Sequence, residues 1–173
     1  MWRLFDHNLI DERAAALSGP IWFNAESLPT SAAQKAKAGK PVDFAQLQGY
    51  VVLLNFWTYS CASCTRTFPA MRDWWRKYQT EKFLLIGVHS PEFEFEKDPE
   101  NVQGAVLRFE MDYPVVSDTD YDTWQAYDGT VWPRQILIDH RGIIRHDHRG
   151  EGDYHEQEAL ITSMLEQAQA LNQ

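Results

Sequence analysis

Two apolar runs dominate the hydrophobic pattern. Residues 50–57 and 82–89 are rich in Val, Leu, Ile, Phe and Trp, the pattern of buried strands. Between them, Phe68, Met71, Trp75 and Tyr78 recur at helical spacing, while Arg72, Asp73, Arg76 and Lys77 take the opposite side. The spacing predicts a helix over 61–78, kinked at Pro69, which brings no backbone N–H. Val102, Ala105, Val106 and Phe109 predict a second helix from an Asp98 cap to about residue 111. Leu160, Ile161, Met164, Leu165 and Ala168 predict a last helix behind Asp153. Short strands are expected at 21–23 and 114–116, and a short helix at 120–127. Residues 135–138 and 143–147 flank Asp139-His140-Arg141-Gly142, a hairpin turn signal. Asp43 starts a short helical turn that Gly49 stops. Residues 28–41, small and polar with Pro29, Gly39 and Pro41, read as a loop or hairpin. Residues 11–17 read as helical within an N-terminal arm, 1–19, ahead of the main domain at 20–173.

Strands and helices that alternate imply crossovers onto a partly parallel sheet, and the terminal hairpin makes that sheet mixed. Helices must then cover both faces, so the fold class is α/β: an α/β/α sandwich with a mixed central sheet and an N-terminal extension. A chain of 173 residues, 44% apolar and 13% aromatic, builds one domain with a real core. Its net charge of −9 argues against non-specific nucleic-acid binding and against an anionic membrane surface. The start carries Arg3, Asp6, Asp11, Glu12 and Arg13 without the apolar segment of a secretory signal, and no run is long enough to span a bilayer. The expectation is a cytoplasmic chain, or an extracytoplasmic one if a leader was removed.

The two cysteines are the candidate chemistry. Cys61-Ala62-Ser63-Cys64 falls where a buried strand hands over to a helix. A bridge across so short a loop constrains the unfolded chain little, so reactivity explains the pair better than stability does. At a helix N-terminus, free N–H groups and the helix dipole favour a thiolate. Cys61, nearer the tip, is the expected nucleophile. Cys64, one turn further in, is the expected resolving thiol. Half of a zinc site and two inert core cysteines are the competing readings. Zinc needs two more ligands, and His146 with His148 is the one other closely spaced candidate pair, far along the chain on an expected strand. No metal or organic cofactor is called for when two sulfurs carry the electrons.

Asn55-Phe56-Trp57-Thr58-Tyr59-Ser60-Cys61-Ala62-Ser63-Cys64 resembles the NFWxxxCxxC signature of thioredoxin-like proteins, in the form found in TlpA-like and DipZ-type thiol–disulfide exchange domains. Thr67-Phe68-Pro69, Gly87-Val88-His89-Ser90-Pro91-Glu92-Phe93, Phe95-Glu96, Tyr113-Pro114-Val115, Trp132-Pro133 and Gly150-Glu151-Gly152-Asp153-Tyr154 extend the resemblance over residues 20–168. It implies a thioredoxin-like fold and a thiol–disulfide oxidoreductase acting on protein thiols or disulfides. It also implies that Pro133 is the cis-proline lying against the disulfide. Cys61, Trp57, Tyr59, Trp132 and Pro133 would then form the groove for an extended partner segment. Thioredoxin itself has a buried Asp where this chain has Asn55, which cannot titrate. The helix glutamate common in TlpA-like proteins is replaced by Thr67. A proton relay is therefore sought at Asn55 and beyond it, in His89 at a strand end and in Glu92 just after. The run Pro91-Glu92-Phe93-Glu94-Phe95-Glu96 alternates aromatic and acid, as an edge strand or a partner-binding loop.

The rival enzyme is a thiol peroxidase with Cys61 as its peroxidatic cysteine. Thr58-Tyr59-Ser60-Cys61 has the TxxC spacing, but Asn55 stands where that motif has a proline, and Arg134 is the candidate to bind peroxide. A binding module with a vestigial cysteine pair is the third class.

Overall fold

In the computed structural model, which describes residues 7–171, the two apolar runs become neighbouring parallel strands at the centre of a six-stranded sheet. The strands are β1 (Ile21–Phe23), β2 (Val51–Trp57), β3 (Phe83–His89), β4 (Val115–Ser117), β5 (Arg134–Ile138) and β6 (Ile144–Arg149), in the spatial order β1-β4-β3-β2-β5-β6. Every residue of β2, β3, β4 and β5 is buried, as a strand covered on both faces requires. β2, β3 and β4 run parallel, whereas β5 and β6 form an antiparallel hairpin on β2 and β1 is antiparallel to β4. The sheet is mixed, as expected.

The helices are α1 (Thr30–Lys37), α2 (Ala62–Tyr78), α3 (Pro99–Arg108), α4 (Asp122–Ala126) and α5 (Tyr154–Ala170). Adjacent residues of a strand point to opposite faces, and β2 shows which helices lie where. Phe56 packs on Trp124 and Tyr127 of the α4 segment, while Trp57 packs edge-on against Phe68 of α2. α5 lies beside α2: Trp74 meets Tyr154, and Glu158 accepts from both Lys77 and Tyr78. The result is a thioredoxin-like α/β/α sandwich. Among the described residues no helix is long and apolar enough to cross a membrane.

The chain has α1 where the sequence read a loop. Ala32, Ala33 and Ala36 bury a face of small side chains, and alanine favours helix. Residues 11–17 are not helical. After a turn at Asp11–Glu12 they lie along the domain, with bridges Arg13↔Ile143 and Leu17↔Val42, and Leu17 lies wholly inside the core. Residues 1–6 of the expected arm lie outside the described residues. Asp43 and Gln46 cap a short 3-10 turn at Phe44–Leu47, and Asp98 caps α3 by accepting from the N–H of Glu100. Pro69 sits inside α2, which continues from Ala62 to Tyr78.

Strand register fixes where the chemistry can be. Trp57, the last residue of β2, is level with His89, the last of β3, and Phe56 faces Arg134 at the start of antiparallel β5. Three loops therefore emerge at one edge: the one after β2, the one after β3, and the one before β5. That edge is where open α/β sheets place their sites. Gly87 in β3 permits this packing, because a Cβ there would lie 3.0 Å from the Trp57 Nε1 and 3.2 Å from a Val115 methyl. Leu54, fully buried at the middle of β2, tests the core. Leu54→Ala is expected to cost about 2–5 kcal/mol by lost burial and a residual cavity, read as a lower urea midpoint with an unchanged slope.

Candidate active site

Cys61 is the N-cap of α2 and is joined to Cys64 in a disulfide, with Cα atoms 5.2 Å apart. The Cys61 Sγ accepts the N–H of Cys64 at 3.2 Å and lies 3.4 Å from the Ser63 Oγ. Cys61 is partly buried, whereas Cys64 has no exposed surface. A charged sulfur at position 61 would thus meet a backbone donor, a hydroxyl and the positive end of a 17-residue helix. The Cys61 N–H in turn donates to the Thr58 carbonyl at 3.3 Å, which fixes the approach of the loop.

The neighbouring loop supplies a buried carboxylate, one of the three acids of the alternating segment but not the one singled out from the sequence. Glu96, in the 3-10 turn Glu94–Lys97, is wholly buried. One oxygen accepts the Ser60 N–H at 3.3 Å, and the other accepts the N–H groups of Glu92 at 2.6 Å and Phe93 at 3.1 Å. Burial pushes its pKa up, but the donors from Ser60, Thr58, Phe93 and Glu92 outweigh this and hold it below the usual value. Glu96 thereby ties the loop before Cys61 to the loop after β3. Its place in the family-like Phe95-Glu96 was the available signal. Nothing in the alternating pattern separates it from Glu92 and Glu94.

The other sequence candidates divide. Glu92 is exposed, and it is its backbone, not its carboxylate, that enters the network. The acid expected at the site in Glu92 is corrected in position to Glu96: the N–H groups of Glu92, Phe93 and Ser60 all donate to residue 96, and the Glu92 carboxylate faces solvent. Trp57 is likewise corrected from groove to core: it has no exposed surface and packs between Phe68 and His89. Tyr59 is partly exposed, stacks on His89 at 5.6 Å, and donates its hydroxyl to the Phe95 carbonyl at 3.1 Å. Trp132 is partly exposed and stacks on Trp124 at 4.3 Å. The Trp132–Pro133 bond is cis, and Pro133 is buried at the start of β5. Asn55, buried, accepts from the Gln135 amide at 2.9 Å across the β2–β5 register.

His89 is wholly buried between Trp57 and Tyr59, its Nε2 3.4 Å from the Thr58 hydroxyl. Burial lowers its pKa to about 4, against the opposing pull of the Glu96 charge. Arg134, the candidate peroxide-binding arginine, is also wholly buried. It makes a two-pronged pair with Asp147, at 2.8 and 2.7 Å, and donates to the Tyr127 and Asp128 carbonyls. Its donors serve the fold, so it is not placed to bind peroxide. His146 and His148 stack on each other along β6, and among the described residues no group of three or more His, Cys, Asp or Glu is placed to hold a metal ion.

The buried His89 makes stability depend on pH. An unfolded chain protonates His near pH 6.5, and the folded one only at about 4. Stability from this group is therefore full above about pH 6.5 and lost as pH falls towards 4, by at most about 3 kcal/mol. Asp118 acts in the opposite sense over much of this window. Burial raises it to about 6 against the pull of the Thr123 and Trp124 N–H groups and the Ser90 hydroxyl, so its contribution falls as pH rises. The difference between wild type and His89→Gln isolates the histidine. Denaturant unfolding across pH 4–7 is expected to show a smaller acid loss in the variant. Parallel curves would place the titration on another group.

A model of the AhpC/TSA family matches residues 25–147. The protein DipZ of Mycobacterium bovis is 42% identical over 129 residues, 75% of this chain but 19% of that protein. The chain thus spans about a fifth of that relative's length. The thiol-disulfide oxidoreductase YkuV of Bacillus subtilis is 26% identical over 72% of this chain and 84% of its own. Among solved structures, the thioredoxin domain of thiol-disulfide oxidoreductase BVU-2223 from Bacteroides vulgatus superposes with a TM-score of 0.66 at 21% identity, covering 90% of this chain and 99% of that one. The chain therefore belongs to the AhpC/TSA family, with a thioredoxin-like fold and a disulfide closed within its CxxC segment.

Proposed function

We propose that this chain exchanges the Cys61–Cys64 disulfide with cysteines of other proteins, Cys61 bonding the partner and Cys64 resolving the mixed disulfide. One observation carries the reading. The two sulfurs sit at a helix N-terminus, the outer one partly exposed and accepting a backbone N–H, the inner one buried directly behind it.

In the reducing direction, a Cys61 thiolate attacks one sulfur of a partner disulfide. That S–S bond breaks and the partner's other sulfur leaves as a thiolate. Cys64, having lost its proton, then attacks the Cys61 Sγ and expels the partner's second thiolate. Two electrons pass to the partner, and its two thiolates take up two protons as the chain's two thiols give up theirs. The same steps reversed oxidise a partner dithiol. Asn55 holds Gln135 and carries no proton in this scheme. His89 acts by position: it supports Thr58, whose carbonyl holds the Cys61 N–H. Trp132 and the cis Pro133 precede β5, the neighbour of β2, and an extended partner segment would lie along them.

Reduced Cys64→Ser mixed with a disulfide-bonded protein such as insulin is expected to accumulate a covalent adduct on Cys61, visible on a non-reducing gel and located by mass spectrometry. Cys61→Ser should form none and should lose catalysed insulin reduction. An adduct mapping to Cys64, or none with either variant, would overturn the assigned roles. Stopped-flow mixing of the reduced protein with hydrogen peroxide is expected to show only slow consumption, of the kind an ordinary thiol gives. Fast consumption surviving Cys64→Ser would favour the peroxidase instead.

A further inference from the structure

The loop after β3 leaves two phenylalanines in water. Phe93 is 48% exposed and Phe95 57%, and their rings stack at 5.5 Å with planes 9° apart. They are not on a loose loop. Glu96 accepts from the N–H of Phe93, the Tyr59 hydroxyl donates to the Phe95 carbonyl, and the Asn101 amide donates to the same oxygen. The Phe95 ring lies 6.2 Å from that of Tyr59, two residues before Cys61. Apolar rings held in water on a pinned backbone mark a surface that a partner covers, and aromatic anchors dominate such contacts. Val131, exposed just before Trp132-Pro133, lies at the same sheet edge on the opposite side of the cysteine loop, because β2 stands between β3 and β5.

The charge around the rings names the partner's chemistry. Glu92, Glu94, Asp98 and Glu100 are all exposed on this segment, and its one cation, Lys97, is paired with Glu94 at 3.0 Å. An acidic rim around an aromatic centre is complementary to apolar side chains accompanied by Lys or Arg. We infer that Phe93, Phe95 and Tyr59 form a docking ledge for the cysteine-bearing segment of a partner protein in which an aromatic or aliphatic residue and a basic residue lie close to the reacting cysteine. The inference rests on the disulfide-exchange reading and adds the class of segment that exchange selects. Glu96 gives the ledge its precision by fixing both loops from one carboxylate.

The test uses cysteine peptides carrying thionitrobenzoate in a mixed disulfide. One peptide has Phe and Arg beside the cysteine and the other Ser and Glu, with Ellman's reagent as the small-disulfide reference. Reduced protein releases thionitrobenzoate as it attacks, so each rate constant is read directly. Wild type is expected to favour the Phe/Arg peptide by about tenfold over the Ser/Glu peptide, a difference one aromatic anchor can supply. Phe93→Ala with Phe95→Ala should bring that ratio near one, and Glu92→Gln with Glu94→Gln should lower it about threefold and weaken its salt dependence. A wild-type ratio near one, or a ratio the alanine pair leaves unchanged, overturns the ledge while exchange itself stands. No reaction of wild type with Ellman's reagent overturns the exchange reading, and the ledge with it. If the alanine pair also loses the Ellman reaction, Phe93→Leu with Phe95→Leu decides. Most of the ratio kept supports an apolar ledge, and the ratio lost overturns it. Wild-type dimerisation on size-exclusion chromatography that the alanine pair abolishes would assign the rings to a second copy and overturn the proposal.

Discussion

A buried negative charge organises the reactive edge of this protein. Taking a carboxylate out of water is costly unless its lone pairs are met. At Glu96 they are met by three backbone N–H groups, from Ser60, Glu92 and Phe93, rather than by a cation. A cation on a long side chain could be satisfied in several geometries. Backbone donors from two separate loops allow essentially one. The desolvation cost is thereby converted into a constraint: the loop leading into Cys61 and the loop bearing the exposed phenylalanines hold their relative position as long as the charge is satisfied.

The same edge sets two titratable groups against each other. Glu96 is held ionised by its donors, while His89, enclosed between the Tyr59 and Trp57 rings, is held neutral by burial. Were both charged, the pair would gain Coulomb attraction, but the imidazolium would forfeit its hydration among aromatic rings, and the second effect dominates. His89 is therefore a poor proton acceptor at neutral pH and a good packing element. That distinction separates a residue at a functional place from one that performs the chemistry.

Much of this was legible in the sequence, and the parts that were not have physical reasons. The central strands, α2 and the cysteine pair follow from continuous apolar runs and one amphipathic period. Those signals are strong because both faces of the sheet exclude water. α1 escaped because it is only eight residues long and lies between Pro29 and Gly39-Lys40-Pro41, which read as turn signals. The triplet Ala14-Ala15-Ala16 misled in the other direction: helix propensity is worth tenths of a kcal/mol, and the pairing of Arg13 with Ile143 and Leu17 with Val42 overrides it. Glu96 reverses the usual rule that in an alternating segment the apolar residues face in. Phe93 and Phe95 face out and the acid faces in, because the inward position offers unmet N–H groups. Periodicity reports which side chains alternate. It does not report which set is satisfied inside.

Two opposing influences then act on the reduced pair in the proposed reaction. The Cys64 N–H, the Ser63 hydroxyl and the end of α2 stabilise a Cys61 thiolate, which favours the reduced form and weakens the chain as a reductant. The Glu96 charge, bonded to the N–H of the residue preceding Cys61, opposes a second negative charge nearby and acts in the reverse sense. Because the carboxylate is fixed by the backbone that also positions Cys61, geometry and potential cannot be tuned independently here. A change that loosens Glu96 shifts the loop, the ledge and the sulfur's electrostatics together. This coupling gives a physical reason for an acid to be buried at this edge, where an apolar side chain would leave three backbone N–H groups without an acceptor.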